Sequence, residues 1–138
     1  MTFDIVTIFP KMVEAPLREG IVGRAIERGL LNVRVHDLRD FTTDRHRVVD
    51  DMPFGGGPGM VLKAEPLFRA LERITAERGE PPKAVVLTSP DGPKLTHAAA
   101  ERLQELGHIA ILCGRYEGVD ERVRRHLATE EISIGDYV

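Results

Sequence analysis

The segment Gly114-Arg115-Tyr116-Glu117-Gly118-Val119-Asp120-Glu121 concentrates side chains that can do chemistry. Two glycines bracket an Arg-Tyr-Glu set directly after the apolar run Ile109–Cys113. Arginine offers a rigid fork of N–H donors suited to a phosphate or the edge of a base. Tyrosine can stack on a base, and glutamate can accept from a ring N–H or offset a positive ligand. An Arg–Glu surface pair on a tight turn is the alternative these residues leave open. Asp50-Asp51 and Asp136 add carboxylates. Neighbouring aspartates can hold Mg²⁺ through water or simply be solvated.

Several common chemistries are excluded. Gly55-Gly56-Gly57-Pro58-Gly59 is followed by Met60-Val61, not by Lys and Ser/Thr, so it is not a phosphate-binding P-loop. It neither follows a strand pattern nor opens a helix, so it is not a dinucleotide fingerprint. Such glycines serve close approach of the backbone to a ligand or a second chain, or form a mobile surface loop. Ser89 precedes Pro90 and lacks the Gly-x-Ser-x-Gly elbow. Cys113 is the single cysteine and ends an apolar run, which reads as a buried inert thiol. No Cys/His pairing has zinc spacing.

The elements that must position these groups follow from hydrophobic periodicity. Phe3–Phe9 reads as a strand ended by Pro10. Lys11–Arg18 and Val22–Arg28 read as short helices, with Gly29 closing the second. Asn32–Leu38 alternates as a strand, with Val33 and Val35 opposite Arg34 and His36. Regular patterning disappears from Arg39 to Val61, a length that marks a functional or mobile stretch. A helix follows, with Pro66 near its start, Leu67, Leu71 and Ile74 on one face, and Gly79 at its end. Ala84–Leu87 is an apolar strand covered on both sides. Thr96 caps a helix whose Ala99, Leu103 and Leu106 make a stripe. Ile109–Cys113 is a second buried strand. Val119, Val123 and Leu127 make a third helical stripe, and Ile132 with Ile134 a last short strand. The order is α/β and predicts a mainly parallel sheet flanked by helices. Ligands of such sheets bind beyond the carboxyl ends of the strands. Here those ends are Thr88–Gly92, Gly114–Gly118 and Gly135–Val138, all rich in glycine and polar or aromatic groups.

The bulk properties set the frame. The 138 residues suit one domain, 1–138, and 42% apolar with 30% charged residues is the balance of an ordinary globular chain. No apolar run approaches the roughly 20 residues of a membrane span, and the start has no signal-peptide pattern. These features imply a cytoplasmic protein without a membrane partner. The net charge of −3 counts against nucleic-acid binding by bulk electrostatics. Arg39, Arg45, His46 and Arg47, and Arg122, Arg124, Arg125 and His126, are local basic clusters or solvated faces.

Gly114–Val123 resembles the signature of the bacterial tRNA (guanine-N1)-methyltransferases. So do Glu131–Val138, Asp44–Arg47, Val49–Met60 and the opening with Ile8-Phe9-Pro10 and Gly23-Arg24-Ala25. The motifs run the length of the chain in order. The resemblance implies a SPOUT-type α/β knot, a trefoil-knotted exception to ordinary topology. It implies S-adenosylmethionine as cofactor, held by Leu87, Ser89, Pro90, Gly92, Gly114, Tyr116, Ile134, Gly135, Asp136, Tyr137 and Val138. It implies a tRNA substrate, methylated on N1 of the guanosine 3′ of the anticodon, with Arg115 and Glu117 near the target base and Arg45, His46 and Asp50 on the substrate side. Homodimerisation and a Mg²⁺ requirement come with the family.

The family pattern continues beyond Val138 into a closing helix, a linker and a C-terminal helical domain. The family's general-base aspartate belongs to that linker, and neither Glu117 nor Asp136 matches it. The knot is expected to be incomplete over 1–138. Two readings follow: a methyltransferase, or its cofactor-binding and dimerisation module without turnover.

Overall fold

The computed structural model describes residues 1–137. β1 (Thr2–Thr7) leads into α1 (Pro10–Leu17) and α2 (Gly20–Glu27), then β2 (Asn32–Asp37). A 3-10 turn (Leu38–Phe41) precedes the two-residue strands β3 (Asp50–Asp51) and β4 (Val61–Leu62). α3 (Ala64–Arg78), β5 (Ala84–Thr88), α4 (His97–Leu106), β6 (His108–Cys113), α5 (Glu121–His126) and β7 (Glu130–Ile132) complete the order. Five strands form one sheet in the order β2-β1-β6-β5-β7, and every neighbouring pair is parallel. The α/β sheet expected from the sequence is therefore present.

The apolar runs of β5 and β6 bury both faces, as a strand covered on both sides must. Val85, Leu87, Ala110 and Leu112 join Val6, Leu67, Leu71, Ile74 and Val123 in the larger core, beneath α3 and α5. Ala84, Val86, Ile109 and Ile132 join Leu103 of α4 in a smaller one. Burying each Leu or Ile of the α3 stripe stabilises the fold by about 1.5–3 kcal/mol. α4 starts where Thr96 Oγ1 accepts from the Ala99 N–H, 3.1 Å away. That bond satisfies one of the free donors of the first turn.

A buried polar cluster, invisible to periodicity, welds α3 to the sheet. Asp4 in β1 is fully buried. It accepts from His36 Nε2 at 2.8 Å, His108 Nε2 at 2.7 Å, and Arg78 Nε and Nη2, each at 3.1 Å. A carboxylate can only accept, so both imidazoles donate through Nε2.

Three elements differ from the periodic reading. The stretch 39–61 contains the 3-10 turn and the β3–β4 hairpin, in which Asp50 pairs with Leu62. Val119 lies outside α5 because it bridges to Leu62, and Asp120 caps the helix by accepting from the Arg122 N–H. β7 stops at Ile132, and Ile134 is exposed rather than part of a strand. There the chain stops following β5 and pairs with the loop that leaves it.

Candidate functional site

The three turns predicted at the strand ends converge. β5, β6 and β7 are neighbours with parallel registers, so residues 89–96, 114–120 and 133–137 all emerge at one end of the sheet. The contacts between them are close. A Cβ on Gly92 would stand 2.8 Å from the Glu131 carbonyl carbon and 2.8 Å from the Ile132 nitrogen. A Cβ on Gly114 would stand 2.6 Å from the Thr88 carbonyl oxygen. Contacts under about 3 Å with backbone cannot be relieved by a side-chain rotation. Both glycines are thus needed because main chain passes where a side chain would sit.

Hydrogen bonds tie the turns together. Thr88 Oγ1 accepts from the Gly114 N–H at 3.0 Å and donates to the Leu112 carbonyl at 3.3 Å. The Ser89 N–H donates to the Ile132 carbonyl, the Ser133 N–H to Pro93, and the Leu95 N–H to Ser133. Ser133 is buried, and its hydroxyl accepts from the Gly135 N–H and donates to the Gly135 carbonyl. Lys94 pairs with Asp136 at 2.6 Å across the first and third turns. Arg124 of α5 reaches Asp91 at 3.3 Å and Glu131 at 3.0 Å, holding the first turn to β7 from behind.

The middle turn carries the polar side chains. Tyr116 has φ +59°, a conformation uncommon for a non-glycine residue and concentrated at functional sites. Its side chain is about half exposed. The Gly118 N–H closes the turn on the Arg115 carbonyl. The Arg115–Glu117 surface pair that the sequence left open does not form among the described residues. The Arg115 guanidinium instead lies over the Phe9 ring, 4.7 Å from its centroid. Glu117 packs its Cγ against Gly59, where a Cβ would come within 2.3 Å.

The glycine-rich loop is thereby joined to this turn. The Glu117 N–H donates to the Met60 carbonyl, the Leu62 N–H to Gly118, and the Asp120 N–H to Leu62. Asp50 pairs with Leu62, so it stands one strand away from the middle turn. Arg45 and His46 are exposed on the turn closed by Arg47 and Asp44. No described contact joins either of them to the three loops. Arg47 is held by Asp40. Leu87 is 1% exposed and points into the α3-side core. Ser89, Gly92 and Gly135 are half-buried, and Pro90, Ile134, Asp136 and Tyr137 are exposed. Val138 lies outside the described residues.

Two cavities flank the turns. An apolar groove of 480 Å³ runs along the α4 face, and Thr88, Leu95, Ile132 and Ile134 line its end at the turns. A more polar cleft of 900 Å³ lies between Met52–Phe54 of the hairpin loop and Val119–Arg122. Cys113 is half-buried, and burial raises its thiol pKa, while Arg115 nearby and a Thr7 hydrogen bond oppose the rise. The thiol is thus half-buried rather than fully buried as the sequence suggested.

The sequence marks Thr88 as the start of the first turn, Gly59 as part of the glycine-rich run and Arg124 as one of a basic cluster, but not the contacts they make here: Thr88 with Gly114, Gly59 with Glu117, and Arg124 with Asp91 and Glu131. Phe9, read from the sequence as the end of the first strand, lies beyond β1 and pairs with Arg115.

Comparison with known proteins places this geometry. The family profile described as tRNA (Guanine-1)-methyltransferase TrmD matches residues 1–138. A tRNA (guanine-N(1)-)-methyltransferase of Geobacter metallireducens is 56% identical over 139 residues, covering all of this chain and 56% of the relative. That of Geobacillus kaustophilus is 47% identical over 138 residues, again covering all of this chain and 56% of the relative. The chain spans about half the length of the curated relatives it matches. The crystal structure of tRNA (m1G37) methyltransferase from Aquifex aeolicus superposes with a TM-score of 0.90 at 42% identity, over the whole of this chain and 61% of that one.

Proposed function

The chain belongs to the tRNA (guanine-1)-methyltransferase family, and from that membership we propose that its three strand-end turns bind S-adenosylmethionine and serve methyl transfer to N1 of a guanosine in tRNA. The observation that carries this reading is the convergence of the turns, with main chain packed so closely at Gly92 and Gly114 that side chains are excluded. When bound, the cofactor supplies a methyl group on a sulfonium, and transfer is an in-line displacement governed by positioning.

The chain's own residues fit that ligand. Ser89, Pro90, Gly92, Gly114, Ile134, Gly135, Asp136 and Tyr137 are proposed to surround it, with Leu87 contributing main chain only. Peptide groups of the turns can read an adenine without side chains, and the apolar groove beside Thr88 and Ile134 suits its non-polar parts. Tyr116 offers a ring face for stacking. Arg115 can donate to the guanine O6, where charge develops as N1 loses its proton. Glu117 is assigned to the target base as well. Asp50, Arg45 and His46 are assigned to the tRNA side. The target base leaves its stack to reach this turn.

The described residues assemble no group of three or more His, Cys, Asp or Glu able to hold a metal ion. Mg²⁺ is therefore given no step here. No helix among the described residues is long and apolar enough to cross a membrane, and action on cytoplasmic tRNA as a homodimer is the setting we propose.

The test is transfer of a tritiated methyl group from S-adenosylmethionine to unmodified tRNA, followed by digestion to nucleosides. Label in 1-methylguanosine supports the reading, and label in another nucleoside contradicts it. Cofactor binding without transfer selects the second reading, a cofactor-binding and dimerisation module.

A further inference from the structure

We infer that Phe9 is a positioning residue for Arg115, holding its guanidinium by the ring face so that the N–H fork stays free for a substrate oxygen. The inference rests on the reading of Arg115 as the donor to the target base. Arg115 Cζ lies 4.7 Å from the Phe9 centroid. That is within the range in which a guanidinium is attracted to an aromatic face.

The platform is itself fixed. Phe9 follows β1, and its N–H donates to Thr7 Oγ1 at 3.1 Å. Its carbonyl accepts from the Met12 N–H, and Pro10 opens α1 beside it. Phe9 is 39% exposed and belongs to neither core cluster, so its place is not explained by burial there. Arg115 is fixed on the other side by the turn that ends on its carbonyl. The two residues lie just past the ends of β1 and β6, which are adjacent and parallel in the sheet, so the pairing is built into the strand order.

The choice of partner matters chemically. A carboxylate would occupy the in-plane N–H donors and offset the charge. An aromatic face meets the guanidinium through its π surface and leaves the donors pointing outward. Among the described residues no carboxylate forms an ion pair with Arg115, and Glu117 is held against Gly59 instead. The arrangement is that of a cation presented to an incoming acceptor.

The test is a double-mutant cycle in single-turnover methyl transfer to tRNA, with cofactor binding measured in parallel. Phe9→Leu keeps apolar volume and removes the π face. It is expected to slow transfer about tenfold, with cofactor affinity and thermal midpoint unchanged. Phe9→Trp is expected to restore the rate. In an Arg115→Ala background, Phe9→Leu should have no further effect, because the group it positions is gone. Equal slowing by Phe9→Leu in both backgrounds would overturn the positioning role, as would an undiminished rate in Phe9→Leu when Arg115→Ala is slow. An undiminished rate in Arg115→Ala itself would overturn the base-donor reading and the inference with it.

Discussion

Gly114 lies against Thr88 so closely that a Cβ on it would stand 2.6 Å from the Thr88 carbonyl oxygen, while its N–H donates to the Thr88 hydroxyl. The end of β5 and the turn after β6 therefore form one surface, and the proposed cofactor site depends on that contact. Gly114→Ala forces the two apart. Overpacking of this kind costs about 1–3 kcal/mol. The expected result is a thermal midpoint lowered by several degrees and a cofactor affinity weakened about tenfold or more. Gly92→Ala, which would strike the Glu131–Ile132 peptide, should behave alike. Differential scanning fluorimetry and calorimetric titration check both.

Gly59 allows a separate test of the hairpin. It has φ +84°, and a Cβ there would meet Glu117 Cγ. Alanine at such a backbone angle costs at least about 1 kcal/mol, and Glu117 must move. Gly59→Ala should slow methyl transfer by about tenfold and leave cofactor binding unaltered. Single-turnover assays beside binding titrations separate the two effects.

Much of this fold was legible because its signals are local. The runs of β5 and β6, the stripe of α3 and the Thr96 cap each fall within a few residues of sequence. The convergence of the three turns followed from strand order. What joins them did not. Thr88 meets Gly114 at a separation of 26 residues, and Asp4 gathers partners 32, 74 and 104 residues away. In the sequence Asp4 is only a polar interruption of an apolar strand. Val119 and Ile134 kept an apolar rhythm past the ends of their elements, since loops pack apolar residues too. The two-residue strands β3 and β4 are too short to show any period.

The Asp4 cluster predicts a pH signature. Burial alone raises the Asp4 pKa, but hydrogen bonds from His36, Arg78 and His108, with the Arg78 charge, hold it well below the usual carboxylate range. A depressed folded-state pKa gives stability that is complete above the unfolded value near 3.8 and is lost as the pH falls below it. Asp4→Asn leaves Arg78 without its carboxylate and should cost about 3–5 kcal/mol at neutral pH. The difference from wild type should shrink as the pH falls below about 4. Urea unfolding across a pH series checks both the size and the direction.

The three turns are proposed to form one S-adenosylmethionine site. The most direct test of that proposal is calorimetric titration of the protein with S-adenosylhomocysteine, beside the Gly92→Ala and Gly114→Ala variants. Saturable binding at one site per chain is expected, weakened about tenfold or more by either substitution. Absence of binding at millimolar ligand, or binding that both variants leave unchanged, would contradict it.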